Sequence, residues 1–170
     1  MPPLIEHAFD LSADADLLRQ RRYGVIEVRG GRLAAIHLRP WPKFVSLLDV
    51  FFGNWYHDHM PGDHVRLYYN QPRRFPNFLT LKYVISARGT SWATFHRALA
   101  TLDEIARIKS SDALLCDAAN FRISPRLMAR EGWERHTSSR WHRNYIKRFY
   151  GEYPRLHVES EADRTLAMTA

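Results

Sequence analysis

The stretch from residue 78 to residue 133 constrains the fold most, because strand-like and helix-like segments alternate along it. Residues 79–86 form an apolar run rich in β-forming residues, and residues 87–91 interrupt it. Residues 92–109 then repeat apolar side chains at helical spacing, and residues 112–118 form a second short apolar run. This order predicts two parallel strands that are joined by a crossover helix.

A further helix is predicted just after these segments by its boundary residues. Ser124 is suited to the N-cap, Pro125 to the first helical position, and Gly132 to the position just past the end. Two parallel strands joined by a helix leave a crevice at their carboxyl ends, where ligands tend to bind. Residues 87–91 and 118–121 follow the two strands, so they are the first places to look for function.

The rest of the chain adds strands that favour antiparallel pairing. Residues 23–28 and 32–38 flank Gly30-Gly31, which is a hairpin signal, and residues 65–70 resemble a further strand. Residues 43–56 carry apolar side chains at three-to-four spacing, which predicts a helix. We therefore expect an α/β fold with a mixed, mostly antiparallel sheet flanked by helices.

The ends of the chain are less regular. Residues 11–22 are compatible with a short helix capped by Ser12, and residues 157–170 contain no aromatic residue and resemble a flexible tail. A chain of 170 residues is long enough for one domain with its own core. We expect residues 1–156 to form that single domain.

Composition bounds the cellular setting. No apolar run approaches the roughly 20 residues that span a bilayer, and the acidic N-terminus does not resemble a secretory signal. Cys116 is the only cysteine, so no intrachain disulfide can form, and its apolar surroundings favour a buried packing role over a nucleophilic one. These features predict a cytoplasmic protein without membrane association.

The positive charge is concentrated near the C-terminus. The chain has a net charge of +7, and residues 121–155 hold nine of its basic residues against three acids, a local net charge of +6. Such a patch indicates an anionic partner, although a solvated basic face is an equally good explanation.

Four residues before the long helix form a candidate anion site. The first turn of a helix presents free N–H groups and the positive end of its dipole. Gly89 permits close backbone approach, Arg88 adds a charge, and Thr90 and Ser91 carry hydroxyl donors. The alternative is an ordinary N-cap.

Residues 120–134, NFRISPRLMAREGWE, follow a helix and a short strand and resemble the GNAT acyltransferase family. The resemblance covers about 78–150. It rests on Asn120 after the strand, the Leu127-Met128 pair, and Gly132-Trp133 at the helix end. It implies that residues 79–86 contact the pantetheine of acetyl-CoA and that residues 87–91 form the pyrophosphate loop. The implied cofactor-binding residues are Arg88, Gly89, Thr90, Ser91 and Asn120. Met128 stands where the family often has a tyrosine as general acid.

Other polar residues are open to two interpretations. The loop 57–64 contains three histidines and two aspartates, and a solvated loop is favoured over a metal site because no recognised ligand spacing is present. One of its histidines is an alternative candidate for acid–base work near the crevice. His96 on the long helix is interpreted as structural, and Asp103 and Glu104 are expected to face solvent.

The segment 140–154 is ambiguous between strand and helix. Its basic and aromatic residues, including Arg140, Arg143, Lys147 and Arg148, would suit nucleic acid. They would equally suit the phosphates of CoA. The resemblance to the GNAT family implies an acyl-CoA-dependent N-acyltransferase acting on a small-molecule or protein amine, with no assigned catalytic residue and no metal. The alternatives are a catalytically degenerate relative that binds a ligand, and a nucleic-acid-binding module.

Overall fold

The computed structural model describes residues 5–41, 62–118, 125–138 and 143–154. Within these ranges eight strands form one sheet, and three helices are present. The strands are β1 (Glu6–Ala8), β2 (Tyr23–Arg29), β3 (Arg32–Arg39), β4 (His64–Asn70), β5 (Phe78–Ser86), β6 (Ala113–Ala118), β7 (Glu134–Ser138) and β8 (Arg143–Arg148). The helices are α1 (Ala15–Gln20), α2 (Trp92–Ile108) and α3 (Pro125–Arg130).

The strand order in the sheet is β1-β3-β2-β4-β5-β6-β8-β7. Every neighbouring pair is antiparallel except β5 and β6. The expected α/β class, with a mixed and mostly antiparallel sheet, is therefore confirmed for the described residues.

The predicted parallel pair is present. Its ladder runs from Phe78 opposite Ala113 to Leu81 opposite Cys116, and β5 then continues to Ser86. Helix α2 connects the two strands and packs on β2, β3 and β4. The carboxyl end of β5 thus leads directly into the start of the long helix.

The core lies between α2 and one face of the sheet. Leu102 and Ile105 of α2 are fully buried in one cluster with Ile26, Leu67 and Leu79 of the strands. Burying an aliphatic side chain of this size contributes about 1.5–3 kcal/mol. The apolar stripe of α2 therefore packs that helix against the hairpin and β4.

The hairpin is formed as predicted. Gly30 and Gly31 have φ values of 52° and 73°, which are accessible to glycine at little cost. The first helix differs from its prediction, because it begins at Ala15 after Asp14. The Asp10 carboxylate instead accepts the N–H groups of Ser12 and Ala13, so the chain makes a turn where the helix was expected to begin.

The C-terminal part settles one ambiguity. Residues 143–148 form strand β8 between β6 and β7, and no helix forms there. Helix α3 begins at Pro125, and Gly132 just after it has a φ of 79°.

Strands β1 and β7 were not predicted. The predicted helix at 43–56, the proposed N-cap Ser124 and the tail at 157–170 lie outside the described residues.

No helix in the described ranges is both long enough and apolar enough to cross a membrane.

Candidate functional site

The loop at 87–91 lies at the carboxyl end of β5, as predicted. Arg88 and Gly89 are exposed. The Thr90 hydroxyl lies 2.7 Å from the His64 carbonyl and 2.8 Å from the Ala87 carbonyl. Ser91 is the N-cap of α2, and its Oγ accepts the Thr94 N–H at 3.2 Å. The loop is thus anchored to β4 on one side and capped into the helix on the other.

A carboxylate of the protein already lies at the start of α2. Asp63 Oδ1 accepts the Ser91 N–H at 2.7 Å, and Asp63 Oδ2 accepts the hydroxyls of Ser91 and Thr94, both at 2.7 Å. Thr94 Oγ1 in turn accepts the Gly31 N–H at 2.7 Å. The hydrogen bond from Thr94, with those from Ser91, lowers the pKa of Asp63.

This arrangement divides the four predicted loop residues into two groups. Ser91 has its N–H and hydroxyl bonded to Asp63, and Thr90 has its hydroxyl on backbone carbonyls. Arg88 and Gly89 remain exposed, and a Cβ added at Gly89 would come no closer than 3.6 Å to another heavy atom, the Gly62 oxygen. An external anion would therefore meet Arg88 and the Gly89 backbone first. Asn120 lies outside the described residues, and the cofactor-binding roles of all five residues stay predictions.

A second polar group of residues surrounds Glu27, which lies in the middle of β2 and is 4% exposed. Its Oε1 is 3.0 Å from His64 Nε2 and 2.9 Å from Arg29 Nε, and Arg66 Nη2 is 3.4 Å away. Its Oε2 is 2.9 Å from His37 Nε2. One buried carboxylate is therefore shared by two imidazoles and two guanidiniums, and we call this set the Glu27 cluster.

Opposing influences act on the ionisation of the Glu27 cluster. Burial raises the pKa of Glu27, but the hydrogen bonds from His37 and Arg29 and the charges of Arg66 and Arg29 together lower it to about 2. Burial lowers the pKa of His64, although Glu27 acts against this shift. Glu27 is consequently a carboxylate at neutral pH, and its charge is balanced by the two arginines.

The Glu27 cluster reaches both the surface and the loop. His37 Nδ1 lies 2.9 Å from Nδ1 of the exposed His7. At the other end, the His64 carbonyl accepts the Ala87 N–H at 2.9 Å. His64, the one described histidine of the predicted acid–base loop, therefore lies beside the carboxyl end of β5. Among the described residues no group of three or more histidine, cysteine or acidic side chains is arranged to hold a metal ion.

The basic C-terminal region is partly internal. Lys147 is 8% exposed, and its Nζ donates to Asp103 Oδ2 at 2.7 Å. Burial raises the pKa of Asp103, and Lys147 acts against this shift. Arg148 is paired with Glu134 at 2.8 Å. The expectation that Asp103 faces solvent was wrong, because α2 packs this carboxylate towards β8.

The aromatic residues of the same region divide in a similar way. Tyr145 and Phe149 are 1% and 3% exposed and belong to the core, whereas Tyr150 is 82% exposed. Trp141 and Arg140 lie outside the described residues. Nucleic-acid binding by this region stays a prediction, and of its described aromatic residues only Tyr150 is placed to stack on a base.

Several single residues have structural roles. Met128 is 3% exposed and packs in the core, as does Trp133 after Gly132. Cys116 is buried in the core cluster, as predicted. His96 Nδ1 lies 3.1 Å from the Glu131 carboxylate, which links α2 to the end of α3 and agrees with its structural interpretation.

Sequence reasoning missed Glu27 and Asp63 as members of these sites. A signal existed for Glu27, because it interrupts the apolar run 23–28 in the middle of a strand. A carboxylate there needs partners from neighbouring strands. No local pattern marks Asp63 as the partner of Ser91, since 28 residues separate them.

No match to this sequence was found among protein-family models, curated proteins or solved structures.

Proposed function

We propose that this chain is an acyl-CoA-dependent N-acyltransferase that binds its co-substrate at the carboxyl ends of β5 and β6, with a GNAT-like fold. The observation that carries the proposal is the short parallel ladder. It stops at Leu81 and Cys116, while β5 runs on to Ser86 and into the loop before α2. A crevice where two parallel strands part is a usual site for a nucleotide-bearing ligand.

In this proposal the loop receives the phosphates of CoA. Arg88 supplies charge, and the exposed Gly89 supplies a backbone surface that a phosphate can approach closely. The bound Asp63 carboxylate already uses the donors of Ser91, so the phosphate contacts fall on the outer part of the loop. Ser91 and Thr90 then act by holding the loop in shape.

The chemistry requires an amine to attack the thioester carbonyl and to lose a proton. The protein contributes mainly orientation and hydrogen bonds to the developing oxyanion. His64 is the candidate proton acceptor because it adjoins the carboxyl end of β5 and has Glu27 at 3.0 Å. Acyl transfer itself joins the amine nitrogen to the carbonyl carbon and releases the CoA thiol.

A second candidate, a relative that binds acyl-CoA without catalysis, is favoured by one observation. The buried Met128 occupies the position where the family often has a tyrosine as proton donor, and a thioether cannot donate a proton. Binding of acetyl-CoA without product from any amine in a broad panel would favour this second function.

The test is an acetyl-CoA titration of the wild type and of Gly89→Val by calorimetry. We expect binding that raises the melting temperature of the wild type and is at least about tenfold weaker in the variant. The φ of Gly89 is not in the left-handed region and space exists for a Cβ, so the variant should fold. Ala34→Val adds similar bulk at an exposed site in β3 and should leave binding unchanged. Equal affinity in wild type and Gly89→Val would make the loop an ordinary helix cap.

A further inference from the structure

Two histidines of neighbouring strands meet at one edge of the sheet. His7 of β1 and His37 of β3 are directly opposite each other in an antiparallel pair. Their Nδ1 atoms are 2.9 Å apart, and their rings meet edge to face with centroids 4.9 Å apart. Side chains that are opposite each other on one face of a sheet are held close by the two backbones. The fold therefore brings two ring nitrogens together before any ligand is bound.

The histidine pair is accessible to solvent. Ile36 and Leu38, on either side of His37, are buried in the core, and successive side chains of a strand point to opposite faces. His37 therefore points away from that core, and 28% of its side chain is exposed. His7 is exposed, and β1 is the last strand at this edge of the described sheet. A small ion can thus reach both nitrogens from the solvent.

Glu27 determines which nitrogen of His37 carries a proton. His37 Nε2 lies 2.9 Å from Glu27 Oε2, whereas the other members of the Glu27 cluster contact Oε1. A carboxylate only accepts hydrogen bonds, so Nε2 is the protonated nitrogen, and Nδ1 of the neutral ring keeps its lone pair. That lone pair faces His7. A carboxylate behind an imidazole is the arrangement by which proteins orient the histidines that bind metal ions.

The separation of the two nitrogens suits a single bound metal ion. The bond between a metal such as zinc and a histidine nitrogen is about 2.0–2.1 Å long. Two such bonds at a right angle hold the nitrogens about 2.9 Å apart, and at a tetrahedral angle about 3.3–3.4 Å apart. The first value equals the distance between the two Nδ1 atoms. The second requires the exposed ring of His7 to move by only about 0.5 Å.

We propose that His7 and His37 bind one divalent transition-metal ion, such as Zn²⁺, Ni²⁺ or Cu²⁺, through their Nδ1 atoms. These ions prefer imidazole nitrogen as a ligand. Glu27 positions His37 and does not contact the metal. Two protein ligands leave the other coordination positions open to water or to a donor group of another molecule. The site is smaller than the groups of three or more ligands that are absent among the described residues, and it does not rest on the proposed acyltransferase function.

The test is a Zn²⁺ titration of the full chain with isotope-labelled histidines, followed by NMR of the imidazole rings, which distinguishes Nδ1 from Nε2. Without Zn²⁺, we expect His37 to carry its proton on Nε2. Zn²⁺ should shift Nδ1 of His7 and Nδ1 of His37 with one common affinity and leave Nε2 of His37 protonated. His136, an exposed histidine of β7, should respond only at Zn²⁺ concentrations at least about tenfold higher, because its ring has no second imidazole beside it to bind the same ion.

The variant His7→Phe removes both nitrogens of His7. It keeps an aromatic ring beside Phe9, with which His7 is stacked at a centroid distance of 6.3 Å, and the position is exposed, so the variant should fold. We expect Zn²⁺ binding at His37 to weaken at least about tenfold, because the ion loses one of its two protein ligands. His136→Phe is the matched control and should leave the affinity at His37 unchanged.

Three results would contradict the proposal. Equal Zn²⁺ affinity at His37 in the wild type and in His7→Phe would overturn the shared site. Binding at His7 and His37 that is no tighter than binding at His136 would reduce the pair to ordinary surface histidines. Zn²⁺ bound to Nε2 of His37 would reject the positioning role of Glu27 and the coordination through Nδ1.

Discussion

At the scale of single residues, the pairing of Gly24 with Tyr69 shows how closely this sheet is packed. The two residues are opposite each other in β2 and β4, and Tyr69 is fully buried. A Cβ placed on Gly24 would lie 2.6 Å from ring atoms of Tyr69, so only glycine leaves room for the ring. The Tyr69 hydroxyl has no hydrogen-bond partner in the described part of the chain, and burial raises its pKa well above the ordinary value.

We expect Tyr69→Phe to leave the free energy of unfolding unchanged or to raise it slightly, because the substitution removes a buried hydroxyl that has no partner. Urea unfolding measures this change. The matched control is Tyr153→Phe, whose hydroxyl donates to the Ser111 carbonyl at 2.9 Å and whose loss should cost about 1 kcal/mol. A larger loss for Tyr69→Phe than for Tyr153→Phe would contradict this account.

At the scale of elements, α2 is joined to β8 through a buried ion pair. Lys147 and Asp103 are 10% and 7% exposed in their side chains, and their charged atoms are 2.7 Å apart. Such a pair contributes little compared with apolar packing, but the loss of one partner leaves a buried charge. The pair therefore specifies how α2 and β8 meet more than it stabilises them.

We expect Lys147→Met to lower the free energy of unfolding by about 3 kcal/mol, because Asp103 then loses its partner. The double variant Lys147→Met with Asp103→Leu should be more stable than this single variant. Arg148→Met breaks an exposed pair of the same strand and should cost less than about 1 kcal/mol. If the loss of unfolding free energy in the double variant, measured by thermal or urea unfolding, equalled the sum of the losses in the two single variants, Lys147 and Asp103 would not be coupled.

At the scale of the whole molecule, the Glu27 cluster makes stability depend on pH. The folded pKa of Glu27 is about 2 against an ordinary value of 4.5, and that of His64 is lowered from 6.5. As the pH falls, the unfolded chain therefore binds protons at these two groups before the folded chain does. The contribution of His64 to the free energy of unfolding is lost as the pH falls below 6.5. The contribution of Glu27 is lost between pH values of about 4.5 and about 2.

We expect the free energy of unfolding to fall by about 2 kcal/mol across the lower window through Glu27, after allowance for solvent screening. Urea unfolding between pH 7 and pH 2.5 measures the slope. Glu27→Gln should be less stable than the wild type at pH 7. Its free energy of unfolding should fall less steeply as the pH decreases below about 4.5. Glu152→Gln changes an exposed carboxylate and should retain the wild-type slope. If the free energy of unfolding of Glu27→Gln fell with pH as steeply as that of the wild type, Glu27 would not be the cause of the acid dependence.

The features that could be predicted from sequence were those with a local pattern. The β2–β3 hairpin follows from Gly30-Gly31, and the β5–α2–β6 unit follows from the change between strand-like and helix-like spacing. Strand β1 has only three residues and β7 reads ERHTS, so neither has an apolar pattern to detect. Their pairing depends on neighbouring strands, which sequence spacing does not reveal.

The candidate site was predictable to a similar extent. The loop before α2 was located because a strand and a helix with clear boundaries flank it. The partners of that loop and of Glu27 include residues far along the chain, such as Asp63, 28 residues from Ser91, and Arg66, 39 residues from Glu27. Only the folded sheet brings these charges together.

The Asp63 contacts also bear on how the start of α2 opens to solvent. The ends of helices usually fray, so their first amides exchange with solvent through small local openings. The start of α2 is different, because Ser91 and Thr94 bond to Asp63 and Thr94 accepts the Gly31 N–H from the hairpin. These bonds require the hairpin and the segment before β4 to be in place. The first turn of α2 therefore belongs to the same cooperative unit as the sheet, and its Ser91 amide should exchange only when that unit opens.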